Sequence, residues 1–130
     1  MSSINAVGWF EIYVQDMARA KAFYEQVLGI TLESLKVPDG PGGEGLEMLQ
    51  FPGDMERYGA NGALCRMPGV PSGPGGTLVY FGCVDCGVEG ARVVEAGGKI
   101  QRDKMSIGEY GFIVLAVDIE GNMFGLHSME

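Results

Sequence analysis

Two side chains in this sequence have the chemistry to move a proton, and both stand out from their surroundings. Glu11 interrupts an otherwise apolar run, VGWFEIYVQ, where a buried carboxylate needs a compensating reason. His127 is the only histidine, near the end of NMFGLHS. A carboxylate beside an imidazole raises the imidazole pKa and fixes its tautomer, which suits general acid–base work at neutral pH. The competing account is structural: two buried polar groups that satisfy one another.

Other residues offer weaker chemistry. Cys83-Val84-Asp85-Cys86 has the spacing of a redox pair or half a zinc site, with Cys86 at a helix N-terminus where the dipole lowers a thiol pKa. No second such pair exists to complete a zinc site, so the expectation is two small buried residues. SGPGG at 72–76 lacks the Lys-Ser/Thr that a phosphate loop places next, and reads as a linker. Trp9, Tyr80 and Phe81 have the character of an apolar pocket lining, with Met48 and Met123 as adaptable walls. In IGEYGF, Glu109 and Tyr110 sit on a loop entering a strand, and Tyr110 can donate to a ligand oxygen or simply pack.

These residues are carried by elements that occur twice. YVQDMARAKAFYEQVLGI and GCVDCGVEGARVVEAGGKI are offset by 69 residues, from Asp16 to Asp85 and from Gly29 to Gly98. Residues 7–15 read as a strand, and Asp16 stands where an N-cap belongs. Met17, Ala20, Phe23, Tyr24, Val27 and Leu28 follow at helical spacing, and Gly29 is placed to end the helix. Strands are expected at 30–35, 46–51 and 62–67, with loops over 36–45 and 52–61. The second half repeats the plan: a strand at 77–84, a cap at Asp85, and a helix over 86–96 weakened by Gly87 and Gly90. Strands at KIQRD, 111–117 and 122–128 follow, the last two joined by the turn DIEGN. The expected fold is α+β, with two tandem βαβββ modules in a single domain. Module one covers about 5–67, the linker 68–76 and module two about 77–130.

Bulk properties set outer limits. The chain has 130 residues, 46% of them hydrophobic, enough for one core. No apolar run approaches the ~20 residues that span a bilayer, and MSSINAVGWF has no basic region followed by an apolar stretch. With three cysteines and no disulfide framework, the expected setting is the cytoplasm. The net charge of -8, with scattered basic residues, argues against nucleic acid and allows a cationic or neutral ligand.

The tandem βαβββ order, with QDMARAKAFYEQVLG and the closing GEYGFIVLAVDIEGNMFGLHS, resembles the vicinal-oxygen-chelate superfamily of glyoxalases, bleomycin-resistance proteins and extradiol dioxygenases. The resemblance covers roughly residues 7–128 and implies an incomplete barrel around a cleft, commonly in a homodimer. It also implies a divalent ion held by His, Gln or Glu from inward strand positions and acting as a Lewis acid. Carried across one by one, those positions fall on Trp9, Val79 and Gly125, none of them a ligand; only Glu47 supplies a plausible donor. The expectation is no metal and no other cofactor. A displaced site is the alternative: Glu11 and His127 lie two residues beyond Trp9 and Gly125, on the same strand faces, and Glu47 would complete it.

Two functions follow. One is a lyase or isomerase acting on a small oxygenated molecule, with Glu11 and His127 as catalytic residues and Trp9, Glu47, Tyr80 and Tyr110 binding the ligand. The other is a non-catalytic protein that sequesters a ligand or drug, similar to the bleomycin-resistance proteins. Either way the expected partners are a small molecule and a second copy of the chain, with no nucleic acid and no membrane.

Overall fold

A computed structural model of the protein describes residues 5–37, 45–54, 56 and 59–130. Local chemistry starts each element where the residues predict. The first strand, β1 (Val7–Tyr13), runs into Asp16, whose carboxylate accepts the Arg19 N–H at 3.1 Å and opens α1 (Met17–Leu28). Gly29 closes α1 at φ 65°, the left-handed conformation that a Cβ disfavours. In the second half β5 (Thr77–Gly82) leads to Asp85, which caps α2 (Cys86–Glu95) through the Gly87 N–H at 2.9 Å. Here the repeat departs from expectation. Gly97, not Gly98, takes the positive φ, at 100°, while a Cβ at Gly98 would meet the Val117 carbonyl at 2.7 Å. Gly98 is required by close packing rather than by helix termination.

The remaining strands are β2 (Glu33–Ser34), β3 (Glu47–Gln50) and β4 (Asn61–Arg66) in the first module, and β6 (Lys99–Ser106), β7 (Phe112–Val117) and β8 (Met123–Ser128) in the second. A 3-10 turn at Gly108–Tyr110, which the sequence reading did not anticipate, precedes β7. β2 is shorter than the expected 30–35, because Leu32 gives its N–H to the Glu25 carboxylate at 2.8 Å instead of to a strand ladder. β6 is longer than KIQRD and carries two register shifts at the sheet edge, where irregularity and charge discourage pairing with other chains. In the DIEGN turn, the Asp118 carboxylate accepts the Glu120 and Asn122 N–H groups. The loops expected at 36–45 and 52–61 lie partly outside the described residues.

All eight strands form one open sheet in the order β2-β3-β4-β1-β5-β8-β7-β6. Within each module the first strand pairs in parallel with the last, β1 with β4 and β5 with β8. The modules join inside one chain through antiparallel β1 and β5, with Trp9 opposite Tyr80, Phe10 opposite Val79 and Glu11 opposite Leu78. Advancing by the 69 residues of the repeat converts the Trp9–Tyr80 pair into the Leu78–Glu11 pair. A pseudo-two-fold axis therefore passes through Phe10 and Val79.

Both helices lie on one side of this sheet. α2 covers Val114 and Leu126, with Cys86, Phe81 and Phe124 in the same cluster. α1 packs on β4, and its Tyr24 ring meets Phe51 edge-on at 5.8 Å, which in turn meets Phe10 at 5.6 Å. Strand alternation then turns Trp9, Glu11, Tyr13, Leu78 and Tyr80 to the side without helices. No helix among the described residues is long and apolar enough to cross a membrane.

Two glycines on the helical side make opposite predictions. A Cβ at Gly62 would lie 2.5 Å from three atoms of the Phe10 ring, so Gly62→Ala should cost about 1–3 kcal/mol. A Cβ at Gly90 would meet the Val114 methyls at 3.5 Å, an ordinary contact, so Gly90→Ala should stabilise by about 0.5–1 kcal/mol through helix propensity. Urea unfolding of both variants checks the signs; a loss of stability in Gly90→Ala would show that α2 packs closer to β7 than this geometry allows.

Candidate functional site

The helix-free face has one buried acid, Glu11, at 8% exposure. Its carboxylate is gripped by neighbours that strand alternation brings to the same face. Trp9 donates its indole Nε1–H to Oε2 at 3.1 Å, and Tyr13 donates its hydroxyl to Oε1 at 2.7 Å. Tyr80, one row away across the β1–β5 pair, shares this face and favours the charged form of the same carboxylate. Leu78 stands opposite Glu11 on β5, and Ala63 and Cys65 are fully buried beside it on β4.

Burial raises the Glu11 pKa above its ordinary value, and the hydrogen bonds from Tyr13 and Trp9, with a smaller effect of Tyr80, only partly oppose that. Burial, reinforced by the Glu11 charge, also raises the Tyr13, Tyr80 and Cys65 pKa values, which keeps all three neutral. Glu11 is thus the one group of this cluster whose pKa is shifted toward neutral pH rather than away from it.

The other expected site residues are dispersed. His127 shares the face of Glu11 but not its place. It pairs with Gly82, four residues along β5 from the Leu78 that faces Glu11, which is about 13 Å along the strands plus two strand spacings across. Its Nε2 contacts the Tyr110 carbonyl, an acceptor only, so Nε2 carries a proton and donates. The Glu11–His127 acid–base pair is therefore not formed. Tyr110 enters this arrangement through its backbone, from the 3-10 turn.

Glu47 lies on the opposite side of the sheet. Its register with Arg66, one pleat from Leu64 opposite Leu49, turns it to the helical face, where it bonds Arg66 Nη1 at 3.1 Å. A displaced metal site of Glu11, Glu47 and His127 is ruled out by this geometry. Val79, taken from the sequence as a former ligand position, also faces the helices, because it pairs with Phe10; Leu78 is the position on the Glu11 face. Gly125 lies beneath the Tyr80 ring, which fills the space that a side chain there would need.

The donors present do not fit the divalent ion that the superfamily resemblance implies. Both Glu11 oxygens already accept hydrogen bonds, and the neighbouring side chains are an indole, two phenols, aliphatic groups and the Cys65 thiol, which burial keeps protonated. Among the described residues, no three His, Cys, Asp or Glu side chains are grouped to hold a metal. The cysteine pair is no stronger as a reactive centre. Cys86 is fully buried against Val114 and Leu126, and burial pushes the Cys83 thiol up to about 11.

Tyr13 and Cys65 are part of the Glu11 cluster and were not singled out from the sequence. Tyr13 was within reach of sequence reasoning, since it stands at i+2 from Glu11; Cys65 depends on the parallel register with β4. A separate groove of about 360 Å³ lies at the start of α1, lined by Gln15, Asp16, Arg19, Phe23, Tyr24 and Ser72. None of these side chains is buried, so it lacks the desolvated polar group that marks the opposite face.

A raised Glu11 pKa means that the folded chain holds this proton more tightly than the unfolded chain. Stability should therefore fall as pH rises from the ordinary carboxylate range through the raised folded value, and level off above it. Glu25, Asp85 and Asp118 are lowered, chiefly by the Leu32 N–H, Lys104 and the Asn122 N–H respectively, so their contributions are lost only at more acidic pH. Urea midpoints between pH 5 and 8 should decline for the wild type and change less for Glu11→Gln. Parallel profiles would assign the dependence to another group.

Known proteins share this architecture. Mycobacterium bovis and Mycobacterium tuberculosis proteins named "Putative glyoxylase CFP32" are each 29% identical over 126 residues, 95% of this chain and 45% of theirs. The chain thus spans about half the length of these relatives. A Streptomyces coelicolor methylmalonyl-CoA epimerase variant bound to 2-nitronate-propionyl-CoA superposes with a TM-score of 0.67 at 16% identity, covering 97% of this chain and 98% of that one. The Mycobacterium tuberculosis methylmalonyl-CoA epimerase gives 0.66 at 15% identity, covering 100% and 93%. At such identities these two structures speak for the fold alone. The family model of the Glyoxalase/Bleomycin resistance protein/Dioxygenase superfamily matches residues 6–125, the span that folds into the paired βαβββ modules, and the chain belongs to that superfamily.

Proposed function

We propose that this protein binds a small organic molecule on the helix-free face of its sheet, over Glu11, without a metal chelate. The observation that carries this reading is a buried carboxyl held by two aromatic donors, Trp9 and Tyr13, with Tyr80 on the same face, at the junction of the two modules. A few convergent polar groups in a largely apolar surround are the usual composition of a ligand site. The distance between Glu11 and His127 removes the two-residue catalyst from this reading. Sequestration of a ligand needs only the Glu11 cluster and the aromatic surfaces around it.

A second reading, proton transfer by Glu11 alone, is favoured by its raised pKa, which brings a carboxyl closer to the neutral range where general acid–base catalysis is efficient. The Tyr13 hydroxyl on Oε1 can stay hydrogen-bonded while the proton leaves or returns, because it both donates and accepts. Epimerisation, the reaction named for the structural neighbours, is a proton transfer of this kind. In this reading a substrate C–H loses its proton to Oε1 or Oε2 and regains one there.

Both readings are tested with one panel. Small oxygenated metabolites are screened by ligand-observed NMR against wild type and Glu11→Gln, and each hit is then incubated with protein in D2O. Binding should weaken about tenfold or more in Glu11→Gln. A sequestering protein leaves the ligand undeuterated, whereas proton transfer incorporates deuterium at a rate that falls about 10²-fold or more in Glu11→Gln. Hits that bind the variant as tightly as the wild type would place the ligand elsewhere.

A further inference from the structure

Among the described residues Glu11 has hydrogen-bond donors but no counter-charge. The three ion pairs among the described residues are Lys21–Glu25, Arg66–Glu47 and Lys104–Asp85, and none involves it. Among the described residues no cation contributes to its electrostatics: burial and the aromatic neighbours Tyr13, Trp9 and Tyr80 act on it. Buried charges are ordinarily paired with an opposite charge or a metal. Here the metal does not fit, and the partner positions on β1, β4 and β5 are filled by Trp9, Tyr13, Cys65, Leu78 and Tyr80.

The donors also favour an acceptor. An indole N–H can only donate, so Trp9 holds Oε2 as a hydrogen-bond acceptor. A carboxylate offers about four acceptor directions, and the hydrogen bonds from Trp9 and Tyr13 leave capacity for a further donor. A chain with net charge -8 also draws cations toward any cleft and disfavours anions.

We propose that the ligand of this face is a small organic cation, a primary ammonium or guanidinium group, seated against Glu11 as its missing counter-ion and bordered by Trp9, Tyr13 and Tyr80. This rests on the reading of the helix-free face as the ligand site and specifies the ligand's charge. Binding is proton-linked: the cation replaces the proton that a buried, unpaired carboxyl otherwise retains. Among the described residues the titratable groups facing Glu11 are Tyr13 on its own strand, Tyr80 on β5 and Cys65 on β4, and all three stay neutral below the alkaline range. Below the Glu11 pKa one proton is therefore released per cation bound.

The chain's single tryptophan is Trp9, so intrinsic fluorescence reports on the site directly. The probes are n-butylammonium chloride, n-butanol and sodium butyrate, titrated to about 100 mM at constant ionic strength to remove general screening. Butylammonium should give a saturable change in Trp9 emission, at least tenfold weaker in Glu11→Gln. Its affinity for the wild type should rise about tenfold per pH unit up to the Glu11 pKa and then plateau. The pH profile needs no variant, so it decides the matter even if Glu11→Gln fails to fold. Saturable binding of butanol or butyrate at equal or higher affinity would overturn the cation assignment and leave the ligand face standing. A pH-independent butylammonium affinity would also overturn it. Silence of Trp9 toward all three probes would overturn both the cation assignment and the ligand face.

Discussion

The antiparallel pairing of β1 with β5 is the constraint on which the rest of the molecule depends. It joins two modules that would each be left with an exposed leading strand, and it fixes which residues face which side of the sheet. Phe10 and Val79 meet at the pseudo-two-fold axis and turn toward the helices. Their neighbours Trp9, Glu11, Leu78 and Tyr80 are thereby forced to the other face, four side chains related in pairs by the repeat. A register slip of one residue would send Glu11 into the apolar layer and Phe10 to the cleft. Burial of Phe10 over Gly62 and against Phe51 opposes that slip.

The chemistry of the helix-free face follows from asymmetry across this axis. Where one module places Glu11, the other places Tyr80, whose phenol favours the charged carboxylate. Where one has Trp9, the other has Leu78. A symmetric pair of carboxylates here would repel, whereas an acid facing a phenol is mutually satisfied. Duplication thus yields a single buried acid with a donor partner, a polar group placed at the seam of the sheet and shielded by aromatic side chains.

Much of the fold was legible in the sequence because its signals are local. Asp16 followed by an apolar helical stripe and Gly29 marks α1 from cap to stop, and the same Asp at position 85 marks α2. The site was legible only in its residue types. Glu11 is conspicuous as a carboxylate in an apolar strand, and the structure buries it. Glu47 was read as a possible companion, but its side of the sheet is decided by pairing with Arg66 on β4, which alternation within β3 does not specify. Val79 and Leu78 differ by one residue and therefore by one face, a distinction that only the β1–β5 register makes.

The sequence by itself determined the element order, the two helix starts, the duplication and the presence of a carboxylate that must find partners. These depend on hydrogen bonds and periodicities within a few residues. Tertiary structure alone decided that Glu11 meets Trp9, Tyr13 and Tyr80, and that His127 instead gives its Nε2 proton to the Tyr110 carbonyl. Both outcomes depend on inter-strand register. Residues distant in sequence share a face by alternation, but their separation along that face is set by how the strands pair.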